Sequence, residues 1–427
     1  MIIDIFLLFL TLLLLALIIK MGERFLWILP LINFVIDIFS GYFEKGSILA
    51  IIRAFLLYSF LIFYWGKYIK IKKIFVPIIL FAAYTFILII FSDNFFNSLR
   101  IYLQVTISLL LLPLSYFLIK DINDFKLLNI SLVFVLFLFI ITTIISTIFK
   151  IGPSIYTESQ SFLTGNIFGG SLNIISLGLI IVPFIITTIR GKISKIIVII
   201  IASLSLIALF LTMKRTSILA TIIGLLLYFI LTEKKSKILL SVLSIILLLT
   251  ILYPIYENIL IERFEARRDK IYLESVEEEA RYKETFFIWE DIFSFNKPME
   301  SIFGKQLYNS PGNYASGIFG VRQIHIDYNI ILHGAGICGL LIYLIIFIPL
   351  WRELNSTNKI VINYINYDKL KAIFIIFFLL TFFFSLSGQM YVITYRSTVF
   401  IYLGAILGYF RKASLMNLKK HVSRQNK

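Results

Sequence analysis

Residues 127–149 read LLNISLVFVLFLFIITTIISTIF, a run without a single charged side chain. A helix that crosses about 30 Å of hydrocarbon needs roughly 20 apolar residues, so this run is long enough to span a bilayer. It is apolar on every face, whereas the strands of a membrane barrel alternate in polarity. The run therefore predicts a membrane-spanning helix.

Similar runs recur along the whole chain of 427 residues, of which 59% are hydrophobic and only 15% charged. Soluble domains carry about 25% charged residues, so a soluble globular protein is excluded. Backbone in lipid must satisfy its own hydrogen bonds, which makes helices the default. The sequence predicts an all-α polytopic membrane protein with about 12–13 transmembrane helices. The predicted spans are residues 2–19, 25–42, 48–65, 74–91, 101–119, 127–149, 171–189, 196–211, 217–231, 238–255, 328–350, 372–384 and 392–410.

Short basic clusters occupy alternate connections between these spans. They are Lys67/Lys70/Lys72/Lys73, Lys120/Lys126, Arg190/Lys192/Lys195, Lys234/Lys235/Lys237, Lys369/Lys371 and the tail from Arg411 onward. Because Lys and Arg accumulate in cytoplasmic connections, the clusters place the C-terminus inside. This topology accounts for the net charge of +16 without a nucleic-acid partner. Segment 25–42 carries Asp37 and could be re-entrant, which would make the count about twelve.

The predicted organisation has four parts. Residues 1–255 form an N-terminal helix bundle, 256–327 a long external loop, 328–411 the C-terminal helices and 412–427 a basic cytoplasmic tail. The loop is too polar to span, and Pro and Gly interrupt it at 297–313. A loop of this length beside a helix bundle is typical of a functional lid, so we look for the site there.

Four motifs follow one another in and after this loop. They are residues 281–291 (RYKETFFIWED), 301–304 (SIFG), 325–328 (HIDY) and 336–339 (GICG). Their order and spacing resemble those of bacterial O-antigen polymerases and O-antigen ligases, which are membrane glycosyltransferases of the GT-C type. Upstream, residues 213–217 (MKRTS) resemble that family's Ser-Arg motif at a helix mouth.

Two positions depart from the family pattern. Ile326 stands where the family usually has Asn after the motif His, and Lys214 replaces a small residue before the motif Arg. The resemblance covers roughly the C-terminal 60% of the chain.

The resemblance implies transfer of a glycan from a polyprenyl diphosphate to a sugar hydroxyl, on the outer side of a bacterial cytoplasmic membrane. Arg215 and Arg281 are then expected to hold the diphosphate, because guanidinium groups bind phosphate oxygens bidentately. His325 is expected to accept the proton of the attacking hydroxyl. Each has a simpler interpretation, and Arg281 in particular could pair with Glu277 one helical turn away.

Further substrate contacts are expected from Arg322, Tyr328 and Trp289, which belong to or adjoin the same motifs. Arg53 lies inside an apolar span, where a charge needs a partner. It could reach the lipid diphosphate, or it could pair with Asp37.

No metal or other cofactor is predicted. His333 could join His325 and Asp327 as a metal ligand, but no cluster of Cys, His and Glu surrounds them in the sequence. The only cysteine, Cys338, lies in an apolar run and predicts packing. Gly334, Gly336 and Gly339 predict close helix packing, because no strand precedes them as in a phosphate-binding loop.

Three functions remain open. A polymerase would extend a lipid-linked glycan, and a ligase would move the polymer to lipid A core. The Ile- and Phe-rich composition favours the polymerase. A flippase or transporter would also be all-helical, although no internal repeat is visible in the sequence. The expected partners are the lipid-linked oligosaccharide, a nascent glycan or lipid A core, the bilayer, and a flippase and a chain-length regulator.

Overall fold

The computed structural model describes residues 2–40, 46–68, 72–151, 163–165, 167, 169–212, 214–232, 280–320, 322–361, 366–387 and 390–425, with six single positions between 250 and 265. Within these residues it contains helices and turns and no strand. The α-helices are α1 Ile2–Met21, α2 Phe25–Ser40, α3 Gly46–Tyr68, α4 Val76–Ile90, α5 Phe95–Leu118, α6 Ile122–Phe149, α7 Asn173–Thr188, α8 Lys192–Leu211, α9 Arg215–Thr232, α10 Ala280–Phe293, α11 Pro298–Phe303, α12 Asp327–Ile345, α13 Phe347–Val361, α14 Tyr367–Ser385 and α15 Ile393–Gln425. The predicted all-α class is confirmed.

Eight segments of the described chain are long and apolar enough to cross a membrane. They are Leu49–Gly66, Lys73–Ile90, Phe95–Leu118, Ile122–Phe149, Gly169–Thr188, Lys192–Leu211, Arg215–Thr232 and Asp327–Thr357. The chain therefore has the architecture of a polytopic membrane protein. The predicted total of about 12–13 spans and their orientation stay predictions. The predicted span 238–255 and most of the loop before residue 280 lie outside the described residues.

The bundle is built around a close pair of helices, α5 and α15. A Cβ added to Gly404 would stand 2.1 Å from the carbonyl oxygen of Leu112, and one on Gly408 would stand 2.1 Å from that of Tyr116. Small residues allow the backbones of two membrane helices to approach closely. Van der Waals packing between them then holds the helices together, because in lipid the hydrophobic effect does not. These two glycines therefore fix the spacing at the centre of the bundle.

The predicted span 328–350 lies within the apolar segment Asp327–Thr357, but it is not one uninterrupted helix. Gly336 interrupts α12 with a φ of 64° and a ψ of −169°, and α12 gives way to α13 at Ile346. The reason is the packing of α11, because a Cβ on Gly336 would lie 2.3 Å from the carbonyl oxygen of Ile302. A positive φ and this contact both require glycine, and they confirm the packing role predicted for it.

Helix α10 packs on the beginning of α12. Ile288 and Ile292 are buried, and Trp289 Nε1 donates to Asn329 Oδ1 at 3.3 Å. Asn329 Nδ2 in turn donates to Thr285 Oγ1 at 2.8 Å. The predicted loop therefore contains a folded helix that is fixed against the first turn of α12, next to His325.

Candidate functional site

His325 lies just before α12 and is held by a carboxylate from α10. Glu284 Oε1 accepts a hydrogen bond from the backbone N–H of His325 at 2.8 Å, and Glu284 Oε2 lies 3.3 Å from His325 Nδ1. Glu284 is fully buried, while the side chain of His325 is 29% exposed. The imidazole is therefore partly exposed, while its Nδ1 faces a buried carboxylate.

This contact bears on the tautomer of His325. Arg322 Nε also lies 3.4 Å from Nδ1, but Nδ1 cannot donate to Glu284 and accept from Arg322 at the same time. An ionised carboxylate only accepts, and Arg322 has an alternative partner in Glu284 Oε2 at 3.7 Å. We therefore place the proton on Nδ1, facing Glu284, which leaves Nε2 of the neutral ring as a proton acceptor.

Aromatic rings border this group on the loop side. Tyr314 stacks on Phe319 with ring centroids 5.3 Å apart, and the Arg322 guanidinium lies 5.9 Å from the Phe319 centroid. Burial and the nearby charge of Glu284 raise the pKa of Tyr314 to about 12. The hydroxyl of Tyr314 therefore stays protonated at neutral pH.

A second group of cations adjoins the same helix, α10. Lys214 is buried beside the start of α9, and its Nζ donates to the carbonyl oxygen of Gly169. Burial, together with the positive charge of Arg281, lowers the pKa of Lys214 to about 7. Arg215 follows Lys214 directly in the sequence.

Arg215 and Arg281 are exposed, and no carboxylate of the described residues pairs with either. The alternative partner of Arg281, Glu277, lies outside the described residues. Residues three apart on a helix share a face, so Arg281 and Glu284 project from neighbouring positions of α10. We call Lys214, Arg215 and Arg281 the cation group, and Arg281 shares a face of α10 with Glu284, which forms a dyad with His325.

The other predicted substrate contacts are distributed differently. Tyr328 is half-buried and donates from its hydroxyl to the carbonyl oxygen of Phe382 at 3.3 Å. Trp289 is 53% exposed, although its Nε1 is engaged by Asn329. Both residues therefore hold helices together beside the site, and Trp289 also leaves an aromatic face open to solvent.

Arg53 belongs to a separate buried cluster. Its Nη1 lies 2.5 Å from Asp37 Oδ1, which is the structural pairing that the sequence left as an alternative. Asp37 Oδ2 also accepts hydrogen bonds from Ser171 and Thr394. The Asp37 carboxylate thus has three partners, one of which is Arg53. In this geometry Arg53 joins α3 to α2 through Asp37 and is not directed towards a diphosphate.

Asp327 and Arg396 form a buried ion pair that the sequence reading missed. Asp327 is fully buried at the start of α12, and Arg396 on α15 is 4% exposed. Arg396 also donates to the Tyr395 hydroxyl at 2.9 Å and to Ser385 Oγ at 3.3 Å. The pair anchors the first turn of α12, two residues after His325, to the central helix α15.

The described residues contain no group of three or more His, Cys, Asp and Glu side chains that could hold a metal ion. His333, the sequence's candidate ligand, is buried two turns into α12, where its ring lies 6.0 Å from that of Tyr314. The donor set for a metal site is therefore not assembled in this part of the chain.

Glu284 is the functional candidate that the sequence did not single out. It stands among several charges in residues 281–291, and its contact with His325 bridges 41 positions of sequence. The one available signal is its spacing from Arg281, which places both on the same face of a helix.

No protein-family model matches the chain, and no curated protein matches its sequence.

Proposed function

We propose that this protein is a metal-independent membrane glycosyltransferase that moves a glycan from a polyprenyl diphosphate carrier to a sugar hydroxyl. The observation that carries the proposal is the His325–Glu284 dyad, whose Glu284 shares a face of α10 with the exposed Arg281. A general base next to unpaired cations is what this transfer requires, since a hydroxyl must lose a proton while a diphosphate leaves.

In the proposed step, the acceptor hydroxyl oxygen attacks the anomeric carbon of the donor sugar. A new C–O glycosidic bond forms, and the bond between that carbon and the diphosphate oxygen breaks. The electron pair of the broken bond leaves with the diphosphate, and the hydroxyl proton passes to His325 Nε2. The reaction balances without an oxidant, a reductant or a further substrate.

Glu284 makes His325 suitable for this role. Because the carboxylate faces Nδ1, it fixes the ring orientation and stabilises the imidazolium that forms when Nε2 takes the proton. A correctly placed general base contributes about 10²–10⁴-fold to such a rate.

The cation group suits the leaving diphosphate. Guanidinium groups remain charged at all working pH values and bind phosphate oxygens in pairs, and Arg215 and Arg281 are exposed for such contacts. Negative charge develops on the diphosphate as the glycosidic bond forms, so these cations stabilise the transition state more than the ground state.

Within this reaction class we assign a polymerase that extends a lipid-linked polysaccharide, with the ligase as the second candidate. The resemblance of residues 281–339 covers both, and the Ile- and Phe-rich composition favours the polymerase. The positive-inside rule places α10 and His325 on the outer side of the cytoplasmic membrane, where lipid-linked glycans are assembled.

The test is the surface polysaccharide of a host strain that lacks the gene, separated on a silver-stained gel. A single repeat unit on the core supports the polymerase. Unmodified core, with polymer accumulating on the carrier lipid, supports the ligase. An unchanged ladder contradicts both, and loss of all lipid-linked glycan from the outer face indicates a flippase instead.

A further inference from the structure

A trough between α3 and α5 forms a cavity of about 640 Å³. Ala50 and Ala54 line it, one helical turn apart, and their small side chains leave space that larger residues would fill. Phe55 and Ile62 line the same trough and are 59% and 69% exposed. In a bilayer such apolar surface faces acyl chains, so the trough is open to lipid.

The trough extends over one leaflet of the bilayer. From Ala50 to Ile62, at 1.5 Å per residue, it is about 18 Å long, against about 30 Å of hydrocarbon. A hydrogen bond from the Tyr58 hydroxyl on α3 to the Leu103 carbonyl oxygen on α5 joins the two helices (2.8 Å). Both begin on the side that the positive-inside rule places outside, so the trough lies in the outer leaflet.

Arg100 stands at the outer end of the trough. It is exposed, it lines the cavity, and its Nη2 donates to Asn97 Oδ1 at 2.9 Å. No carboxylate of the described residues forms an ion pair with it. An arginine on the outer side runs against the topological bias, and a lipid phosphate is a complementary partner for it.

Tyr391 and Gln323 relate the outer end of the trough to the segment before His325. Burial raises the pKa of Tyr391 to about 12, and the charge of Arg100 acts in the opposite direction. The Tyr391 hydroxyl donates to Gln323 Oε1 at 3.2 Å, two residues before His325. Ile101, which follows Arg100, shares a small cavity with Gln323 and Tyr391.

We propose that the trough binds a polyprenyl diphosphate, with the prenyl chain along Ala50 and Ala54 and the diphosphate at Arg100. The second part of the assignment rests on the proposed function: the donor diphosphate occupies Arg215 and Arg281, so the trough holds the carrier of the acceptor glycan. A polymerase uses two such carriers, whereas a ligase uses one. The trough therefore provides the second lipid site that a polymerase requires.

The test counts bound carriers by native mass spectrometry of the purified full-length protein, with a polyprenyl diphosphate that bears no glycan. We expect two per wild-type chain and one per chain of Ala54→Phe, which fills the trough. Arg100→Gln should weaken one of the two sites about tenfold, because a charge-assisted contact is lost. Matched controls are Ala83→Phe, at an exposed alanine of α4, and Arg190→Gln, at an exposed arginine beyond α7; each should retain two.

Two results would overturn the proposal. One is retention of both carriers by Ala54→Phe and by Arg100→Gln, each with an unchanged thermal unfolding profile. The other is displacement of the trough ligand by phosphatidylglycerol as readily as by polyprenyl diphosphate. A wild-type chain that binds one carrier and loses it in Ala54→Phe would keep the trough as a carrier site and contradict the donor site at Arg215 and Arg281.

Discussion

Glu284 and Lys214 show how burial changes what a charged residue can do. Glu284 is fully buried, yet it is satisfied by the backbone N–H of His325 and by the imidazole Nδ1. Lys214 is buried and donates to the carbonyl oxygen of Gly169. Its burial and the positive charge of Arg281 both disfavour its charged form. Glu284 fixes the orientation of the proposed base, His325. Lys214, whose pKa is lowered, holds its proton weakly and belongs to the proposed diphosphate site.

The dyad predicts a specific effect of Glu284→Gln. Glutamine keeps an acceptor for the His325 backbone but removes the negative charge, so we expect transfer to fall about 10- to 100-fold, less than the loss in His325→Ala. The loss should fall on kcat and not on KM, because the imidazolium that forms during transfer loses its stabilising neighbour. The measurement is the initial rate of glycan transfer in membranes as a function of donor concentration.

The matched control is Glu290→Gln, at an exposed position of the same helix, which should leave kcat and KM unchanged. A fall in the amount of folded Glu284→Gln protein that equals the fall in rate would mean that Glu284 serves only to fold the loop.

Lys214 predicts a pH dependence of stability. Its pKa of about 7 lies below the ordinary value of 10.5, so between these pH values the unfolded chain binds more protons and stability rises with pH. Lys214→Met should therefore stabilise the protein near pH 7 and flatten this rise. The midpoint of thermal unfolding, measured from pH 7 to 9.5, checks it, with the exposed Lys192→Met as control. Parallel curves for wild type and Lys214→Met would refute the assignment.

At the scale of helices, two contacts fix the beginning of α12. Helix α10 holds it from the loop side through Asn329, which bonds both Trp289 and Thr285. Helix α15 holds it from the bundle side through the Asp327–Arg396 ion pair. His325 lies two residues before Asp327 and four before Asn329, so both attachments help to set its position.

The ion pair predicts a non-additive effect on stability. Arg396→Gln leaves the Asp327 carboxylate buried without a counter-charge, and we expect a loss of about 3–5 kcal/mol in the free energy of unfolding. The double variant Asp327→Asn/Arg396→Gln removes both charges and should recover part of this loss. Denaturant unfolding in detergent compares them. Equal losses in the single and the double variant would show that the pair is not coupled.

At the scale of the whole molecule, the sequence predicts the class of fold but not its contacts. The hydropathy of a segment can be read from its residues and its length alone. The run 127–149 could therefore be predicted as a helix, and it is one in the structure. The kink at Gly336 was not predicted, because it depends on α11 approaching from outside the span. His325 could be selected by its motif, whereas Glu284 and Arg396 acquire their roles only when distant segments meet.

The trough and the dyad together fit the proposed enzyme, in which lipid enters at the trough and the glycan reacts at the predicted external loop. Helices α3 and α5 form the lipid-facing trough, and α10 carries groups from both the dyad and the cation group. A connection through Tyr391 and Gln323 relates the two regions. This division suits an enzyme whose substrates are anchored in the membrane but react above it.

The measurement that tests the account most directly uses the material that a deletion strain accumulates. Lipid-linked repeat units extracted from that strain are incubated with the purified protein, and the products are separated by length. We predict a ladder of polymer with release of polyprenyl diphosphate for the wild type, and no ladder for an equally stable His325→Ala protein. A ladder of normal length from His325→Ala, or none from the wild type, would contradict the assignment of a glycosyltransferase with His325 as its base.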